Sequence, residues 1–432
     1  MRLHLLLFLS LVVILPGKLL AQQSIDSLRE RLEDAERMLE LLRVQIADEA
    51  ESGVEPRSGF RVDLSGLVLI NGFYTSARVN NSDIPTVVGP PDTIALPARA
   101  LGAAARQSRI GLSLHAPNVL NGEFNGEIEI SFFGGHLANG RFLPLLAIRR
   151  LRGELRWSNA WLMFGQESPP ISDVDPSSLA AMELPGFTQS GNLWYWMPQV
   201  VVGAETSGPV RFGAEVAAVA PMSSPAQPQS IVTQPNDAER TGKPFLQGRV
   251  IARWGDPQLD GGEVSIGGHY GWVAIGGNAE RITKAIALGA RFFVTEYAEI
   301  RAEGFTGQAL GTLGGGGIGQ NFGPSQQAVR AKGGWAQLNL LPTPEWELGG
   351  GIGMDDPRDG DLGSYTGPSG TGGYDFSGNV ALKNLSWETH LIWRPHPMVF
   401  GLEYKRLEST YGDVAIGARS ADHVNLAMGF VF

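Results

Sequence analysis

The sequence contains no cysteine among its 432 residues. That excludes a disulfide framework, thiolate metal sites and a lipid-modified N-terminal cysteine. Charge is sparse: charged residues make up 18%, with 44 acidic against 34 basic and a formal net charge of −10. A surface of that sign offers nucleic acid no general basic footprint. No apolar run reaches the roughly 20 residues that a membrane-spanning helix needs. The nearest, residues 3–15, is interrupted by His4 and Ser10. The seven His are scattered without the spacing of a metal pair, and no Gly-x-Ser-x-Gly elbow occurs. The run from Gly314 to Gly319 lacks the Lys-Ser/Thr of a phosphate loop. The sequence therefore calls for no metal, cofactor or catalytic residue.

What is present begins with Met1-Arg2, the apolar stretch, Pro16-Gly17 and then Leu19-Leu20-Ala21. This is the layout of a secretory signal peptide over residues 1–21. Residues 22–48 follow with a regular period. Ile25, Leu28, Leu32, Ala35, Leu39, Leu42 and Ile46 recur at spacings of 3 and 4 in strict alternation. That pattern predicts a short α-helical coiled coil, because a stripe so narrow suits an identical helix. A single amphipathic helix packed on the rest of the chain is the other reading. Ile at the outer a positions and Leu at most d positions favours two strands, and three stay open. Residues 49–59, with Gly53, Pro56 and Gly59, read as a linker.

From Phe60 the period changes to two. In the last stretch Val424, Leu426, Met428, Phe430 and Phe432 fall on one face of a strand, and Asn425, Ala427 and Gly429 on the other. Sixteen segments of this kind are found between Phe60 and Phe432, many of them about ten residues long, the length of a strand crossing a bilayer at a tilt. The connections alternate between long (75–105, 167–193, 220–243, 307–328, 357–377, 409–422) and short (116–121, 158–159, 206–209, 256–260, 342–344, 395–397). A two-sided barrel sorts its loops in this way. Mean hydropathy is −0.04, as expected of strands that are half apolar and half polar. The fold class is therefore all-β: an antiparallel transmembrane β-barrel of about 16 strands over residues 60–432, preceded by the coiled coil, with both chain ends on the periplasmic side.

The charged residues fall on the faces opposite the apolar rows. Placing Arg or Lys against lipid at mid-depth costs ~2–4 kcal/mol each, so these rows must line a lumen. They include Arg109, Arg150, Arg152, Arg156, Arg249 and Arg253, with Glu127 and Glu129 among the acids. Rings of charged side chains select ions and anionic solutes; mutual pairing across strands is the competing reading. The connection 167–193 carries Asp173, Asp175 and Glu183 together with Leu179, Met182, Leu184 and Phe187, enough apolar surface to pack inside. Either it folds inward as a constriction or it is an ordinary external loop. Trp157, Trp161, Trp254, Trp346 and Trp393 lie near the short turns, where an interfacial girdle belongs.

Three stretches carry a family resemblance: Arg106-Gln107-Ser108-Arg109-Ile110-Gly111; Leu151-Arg152 through Asn159 to Gly165-Gln166; and Asn192-Leu193-Trp194 through Pro198-Gln199. With the sixteen-strand layout and the terminal aromatic, the chain resembles outer-membrane porins, most narrowly the DcaP-like porins. The resemblance implies a trimer with an N-terminal periplasmic coiled coil and passage of anionic solutes such as dicarboxylates. It also implies that Phe432 is read by the barrel-assembly machinery. The partners so implied are outer-membrane lipid, further copies of the chain and small solutes. A non-conducting tether and a barrel-embedded hydrolase are the alternatives.

Overall fold

The computed structural model describes residues 60–90, 98–134, 145–223, 235–256, 261–276, 279–362 and 380–432. The expected signal peptide, the heptad from Ile25 to Ile46 and the linker lie outside the described residues. One sheet holds every strand. In chain order these are β1 Arg61–Thr75, β2 Ala100–Ala104, β3 Arg109–Val119, β4 Gly122–Ser131, β5 Ala147–Arg156 and β6 Ala160–Glu167. Then come β7 Met197–Glu205, β8 Val210–Val219, β9 Phe245–Trp254, β10 Gly262–Gly276, β11 Ala279–Thr295 and β12 Ala298–Gln308. The last are β13 Arg330–Thr343, β14 Trp346–Pro357, β15 Ala381–Trp393, β16 Met398–Tyr411 and β17 Ala418–Val431.

The strands pair antiparallel in chain order, and β1 pairs with β17, so the sheet closes. β2 pairs with β1 from Asn71 to Thr75 and β3 pairs with it from Arg61 to Leu67. They are two pieces of one strand, broken at residues 105–108, and the wall has sixteen positions. The expected connection 75–105 is thus shorter, because its last residues form β2. The connection 409–422 shrinks to 412–417, because both flanking strands run on past the membrane-facing rows. Trp194 and the two residues after it belong to the loop before β7 rather than to the strand.

Alternation sets the faces. Val424, Leu426, Met428 and Phe430 are exposed on the outside of β17, while Asn425 and Ala427 are buried inside. Near the short turns Trp346, Trp393 and Phe400 stack with centroid spacings of 5.4 Å on the outer surface, an interfacial girdle. Trp161 departs from the expected girdle. It faces inward, 6% exposed, with the Arg156 guanidinium 5.0 Å from its ring centroid. The apolar core is inside the barrel, where Ile171, Leu193, Leu310 and Leu313 from two long loops pack on Met197, Phe245 and Phe305 of the wall.

Closure depends on one close approach. Gly66 and Phe432 exchange both backbone hydrogen bonds, at 2.8 and 3.1 Å. A Cβ on Gly66 would lie 2.4 Å from the Phe432 ring and 2.9 Å from the Arg109 carbonyl oxygen. Gly66→Val should therefore destabilise the closed barrel by about 1–3 kcal/mol, the usual cost of overpacking. The check is the thermal midpoint of heat-modifiable mobility on unboiled gels. An unchanged midpoint would refute the role given to this contact.

Candidate functional site

The third long connection, residues 168–196, touches inward side chains on all sides of the wall. Gln247 on β9 accepts from the Ile171 amide at 3.1 Å. Glu303 on β12 accepts from Ser172 Oγ at 2.6 Å and from the Leu193 amide at 3.1 Å. Gln337 on β13 both accepts from and donates to the Ser177 backbone, at 2.7 and 3.0 Å. Glu403 on β16 accepts from Ser178 Oγ at 2.6 Å and from the amides of Leu179 and Ala180 at 2.5 and 2.8 Å. Asn71 on β1 donates to the Leu179 carbonyl at 3.1 Å. Hydrogen bonds to charged groups contribute about 1.5–3 kcal/mol each, so these carboxylates account for much of the loop's placement.

The loop returns past the break in the wall. Gln107 donates to the Ala180 carbonyl at 2.9 Å and accepts from the Met182 amide at 2.8 Å. Arg109 donates to the Met182 carbonyl and pairs with Glu183 at 3.0 Å and Glu129 at 3.6 Å. Ser131 Oγ holds the other Glu183 oxygen at 2.9 Å. Glu183 is only 4% exposed. Arg109 and Glu183 are therefore placed as a buried lock between wall and loop.

Between the two ends of the loop and the wall of β5–β9 lies a cavity of about 500 Å³. Six arginines line it: Arg149, Arg150, Arg152, Arg156, Arg249 and Arg253. So do five carboxylates: Glu154, Glu167, Asp173, Asp175 and Glu215. The arginines are paired. Arg150 meets Glu167 at 2.5 Å and Glu127 at 3.0 Å, and Arg152 meets the same two at 3.2 and 3.5 Å. Arg156 meets Glu154 at 2.8 Å. Arg249 meets Glu215 at 2.9 Å and also Asp173. Arg253 meets Glu205 at 2.6 Å and Glu263 at 2.9 Å. The Asp175 carboxylate makes no ion pair among the described residues. Pairing does not hide every cation: the Arg156 side chain is 47% exposed and that of Arg249 only 5%, so Arg156 is the guanidinium most open to a solute.

Arg149 is an addition that strict alternation assigns to the lipid face. Glu129 pairs with Arg150 but Ile130 with Ile148, so Arg149 is the extra residue of a β-bulge. It turns inward to Glu129 and lies 4.2 Å from the Trp196 ring centroid. The adjacent Arg149-Arg150 pair is the only signal of this in the sequence, since two neighbouring arginines cannot take opposite faces here without one entering lipid.

No family model and no curated protein matches the sequence. The fold does have relatives: a closed antiparallel barrel of this kind is shared with solved outer-membrane channels and porins. Among solved structures the chain is similar to the outer membrane channel DcaP of Acinetobacter baumannii, with a TM-score of 0.64 and 18% identity over 88% of this chain and 100% of that one. It is also similar to an anion-selective porin from Comamonas acidovorans, with a TM-score of 0.53 and 12% identity over 86% and 100% of the two chains. OprB of Pseudomonas putida matches with a TM-score of 0.52 and 9% identity over 89% and 96%.

Removing one partner of a buried ion pair costs about 3–5 kcal/mol, whereas replacing both is often near neutral. Arg109→Met should therefore lower stability and open residues 168–196 to protease, and the double change Arg109→Met with Glu183→Gln should restore most of both. Limited proteolysis with thermal melting checks this. Equal damage from the single and double variants would contradict the lock.

Proposed function

We propose that the protein is a passive diffusion porin that admits small hydrophilic solutes, chiefly anionic ones, through a lumen narrowed by its third loop. The observation that carries this is the cavity between loop and wall, with six guanidiniums against five carboxylates. From the long-loop side solutes meet Arg150 first, then Arg152, and last Arg156 beside the short turn, the most open of the three. Because each of these arginines has a carboxylate partner, the field is that of a slight positive excess and the preference for anions is modest. In this reading no chemistry is performed, no cofactor is held, and the protein is not an enzyme. The heptad from Ile25 to Ile46 joins copies of the chain, three in number, on the periplasmic side after cleavage near Ala21. Phe432 serves barrel assembly.

The test is conductance of the purified full-length protein in a planar bilayer under a salt gradient. Steps arriving in threes with a reversal potential on the anion side are expected. Charge reversal at Arg156, the most open position, together with Arg152 on the same face, Arg152→Glu with Arg156→Glu, should move the reversal potential toward the cation side. Folded, heat-modifiable protein that does not conduct would overturn the porin reading in favour of a tether. Conduction with an unmoved reversal potential in the variant would overturn the role of the arginine row.

A further inference from the structure

The connection between β12 and β13 also turns into the lumen. Its Leu310 and Leu313 are buried against Phe245 and Phe305 of the wall, and its Ile318 against Val87 of the first long connection, Ala381 and Tyr411. The backbone here is strained. Ile318 sits at φ 53° and ψ 35°, in the left-handed region, between Gly317 at φ 67° and Gly319 at φ 75°. A β-branched side chain in that region is an outlier, and it persists only where the surroundings hold it. β14 and β15 supply the hold. Asp355 accepts from the Gly317 amide at 3.0 Å and from the Ile318 amide at 2.8 Å, and Gln320 donates to the Ala381 carbonyl at 2.7 Å.

Both ends of the third loop reach this segment. At its far end the Trp194 and Tyr195 amides donate to the Leu313 carbonyl at 3.2 and 3.3 Å, and Trp194 Nε1 donates to the Gly314 carbonyl at 2.9 Å. At its near end the link runs through buried side chains of the wall. The Ile171 amide donates to Gln247 Oε1, and Gln247 Nε2 donates to His269 Nδ1 at 3.2 Å. His269 Nε2 then donates to Thr283 Oγ1 at 3.2 Å, and the Thr283 hydroxyl donates to the Ala309 carbonyl at 3.0 Å. The order is forced. With the Gln247 oxygen taken by the Ile171 amide, its amino group faces Nδ1, so the imidazole proton stands on Nε2. Each member of such a chain fixes the orientation of the next.

We propose that residues 309–323 are a strained lid inside the lumen, latched by Asp355 and geared to the third loop through Gln247, His269 and Thr283. A carboxylate that accepts from two amides is a strong latch, and the strain at Ile318 works against it. Once released, the segment regains the backbone freedom that Ile318 is denied, and the lumen beside β12–β15 widens. The links at Trp194 and His269 carry the third loop with it, so the two inward loops open as one. The widening admits solutes only if the barrel conducts, so that consequence rests on the porin reading; the movement itself does not.

The experiment places a reporter, Leu313→Cys, in the full-length protein, which has no cysteine of its own. Leu313 is fully buried, and its carbonyl rather than its side chain holds the third loop. The rate of labelling by a charged maleimide reads the opening of the lid, and planar-bilayer conductance is recorded on the same samples. Asp355→Asn leaves one accepting oxygen in place of two. It should raise the labelling rate at least about tenfold, the equivalent of about 1.4 kcal/mol. Gln320→Leu reads the same release if that variant fails to assemble, as judged by heat-modifiable mobility. Gln247→Leu, which breaks the chain at the third loop, should raise labelling on the lid by about fivefold, the low end of a coupling between sites. A rate unchanged by Asp355→Asn in folded protein would overturn the latch, and one unchanged by Gln247→Leu would overturn the gearing. Faster labelling with larger conductance steps supports both the lid and the porin reading. Faster labelling without conduction keeps the lid and overturns the porin reading alone, and conduction with a flat labelling rate does the reverse.

Discussion

An open strand edge cannot persist in hydrocarbon, where no water replaces a missing partner, and the described barrel answers to that constraint. The wall meets it by closing β17 on β1. The one interruption, at residues 105–108, is compensated by side chains. The Ser108 hydroxyl takes the Leu69 amide at 2.9 Å and is within 3.1 Å of the Leu69 carbonyl. The residues freed from the ladder turn into the lumen. Arg106 pairs with Asp83 at 2.7 Å and so holds the first long loop. Gln107 and Arg109 hold the third. The break in the wall is therefore the dock for both loops, and the position of the lumen cavity follows from it.

The buried carboxylates divide by what they bind. On β12 and β16, Glu303 and Glu403 accept from loop amides, while Glu388 on β15 pairs with Lys405 at 2.7 Å. On β4 to β8, Glu127, Glu129, Glu154, Glu167 and Glu215 accept from guanidiniums. A carboxylate that spends its lone pairs on backbone amides holds the loop without bringing a cation along. One that spends them on arginine adds almost no net charge. The second half of the wall is thus an anchoring surface for the loop, and the first is a nearly balanced, ion-paired polar face.

Much of this was legible because a strand exposes its environment at every second residue. The terminal stretch from Val424 to Phe432 and the β5 row of Arg150, Arg152 and Arg156 could be assigned to faces directly. What alternation cannot express stayed hidden. Arg149 escaped because a bulge adds one residue and flips the face. β2 escaped because Ala100 to Ala104, small but for Leu101, are only five residues and lie in what reads as a loop. Trp161 was misplaced because proximity to a turn does not say which face a tryptophan takes. The stretch from Arg106 to Gly111 could be recognised as distinctive, but not its use, since docking a loop depends on where distant residues such as Asp83 and Ala180 arrive.

The size of the inward side chains decides where the lumen is filled and where it is empty. Along β14 the inward positions include Gly349, Gly351 and Gly353; the loop packs against the last two, and His390 of the wall covers the first. A Cβ on Gly353 would lie 2.3 Å from the Ser190 carbonyl oxygen, and one on Gly351 would lie 2.8 Å from the Phe187 ring. Phe187 fills that space and stacks on Trp335 at 5.5 Å. Along β5 the corresponding positions are Arg150, Arg152, Glu154 and Arg156, whose length and charge no loop backbone can displace without stranding an ion. The loop therefore settles on the glycine side and leaves the arginine side open. Desolvating the β5 arginines would cost more than loop contacts there could return, so the barrel's own glycine and arginine bands set where the loop lies.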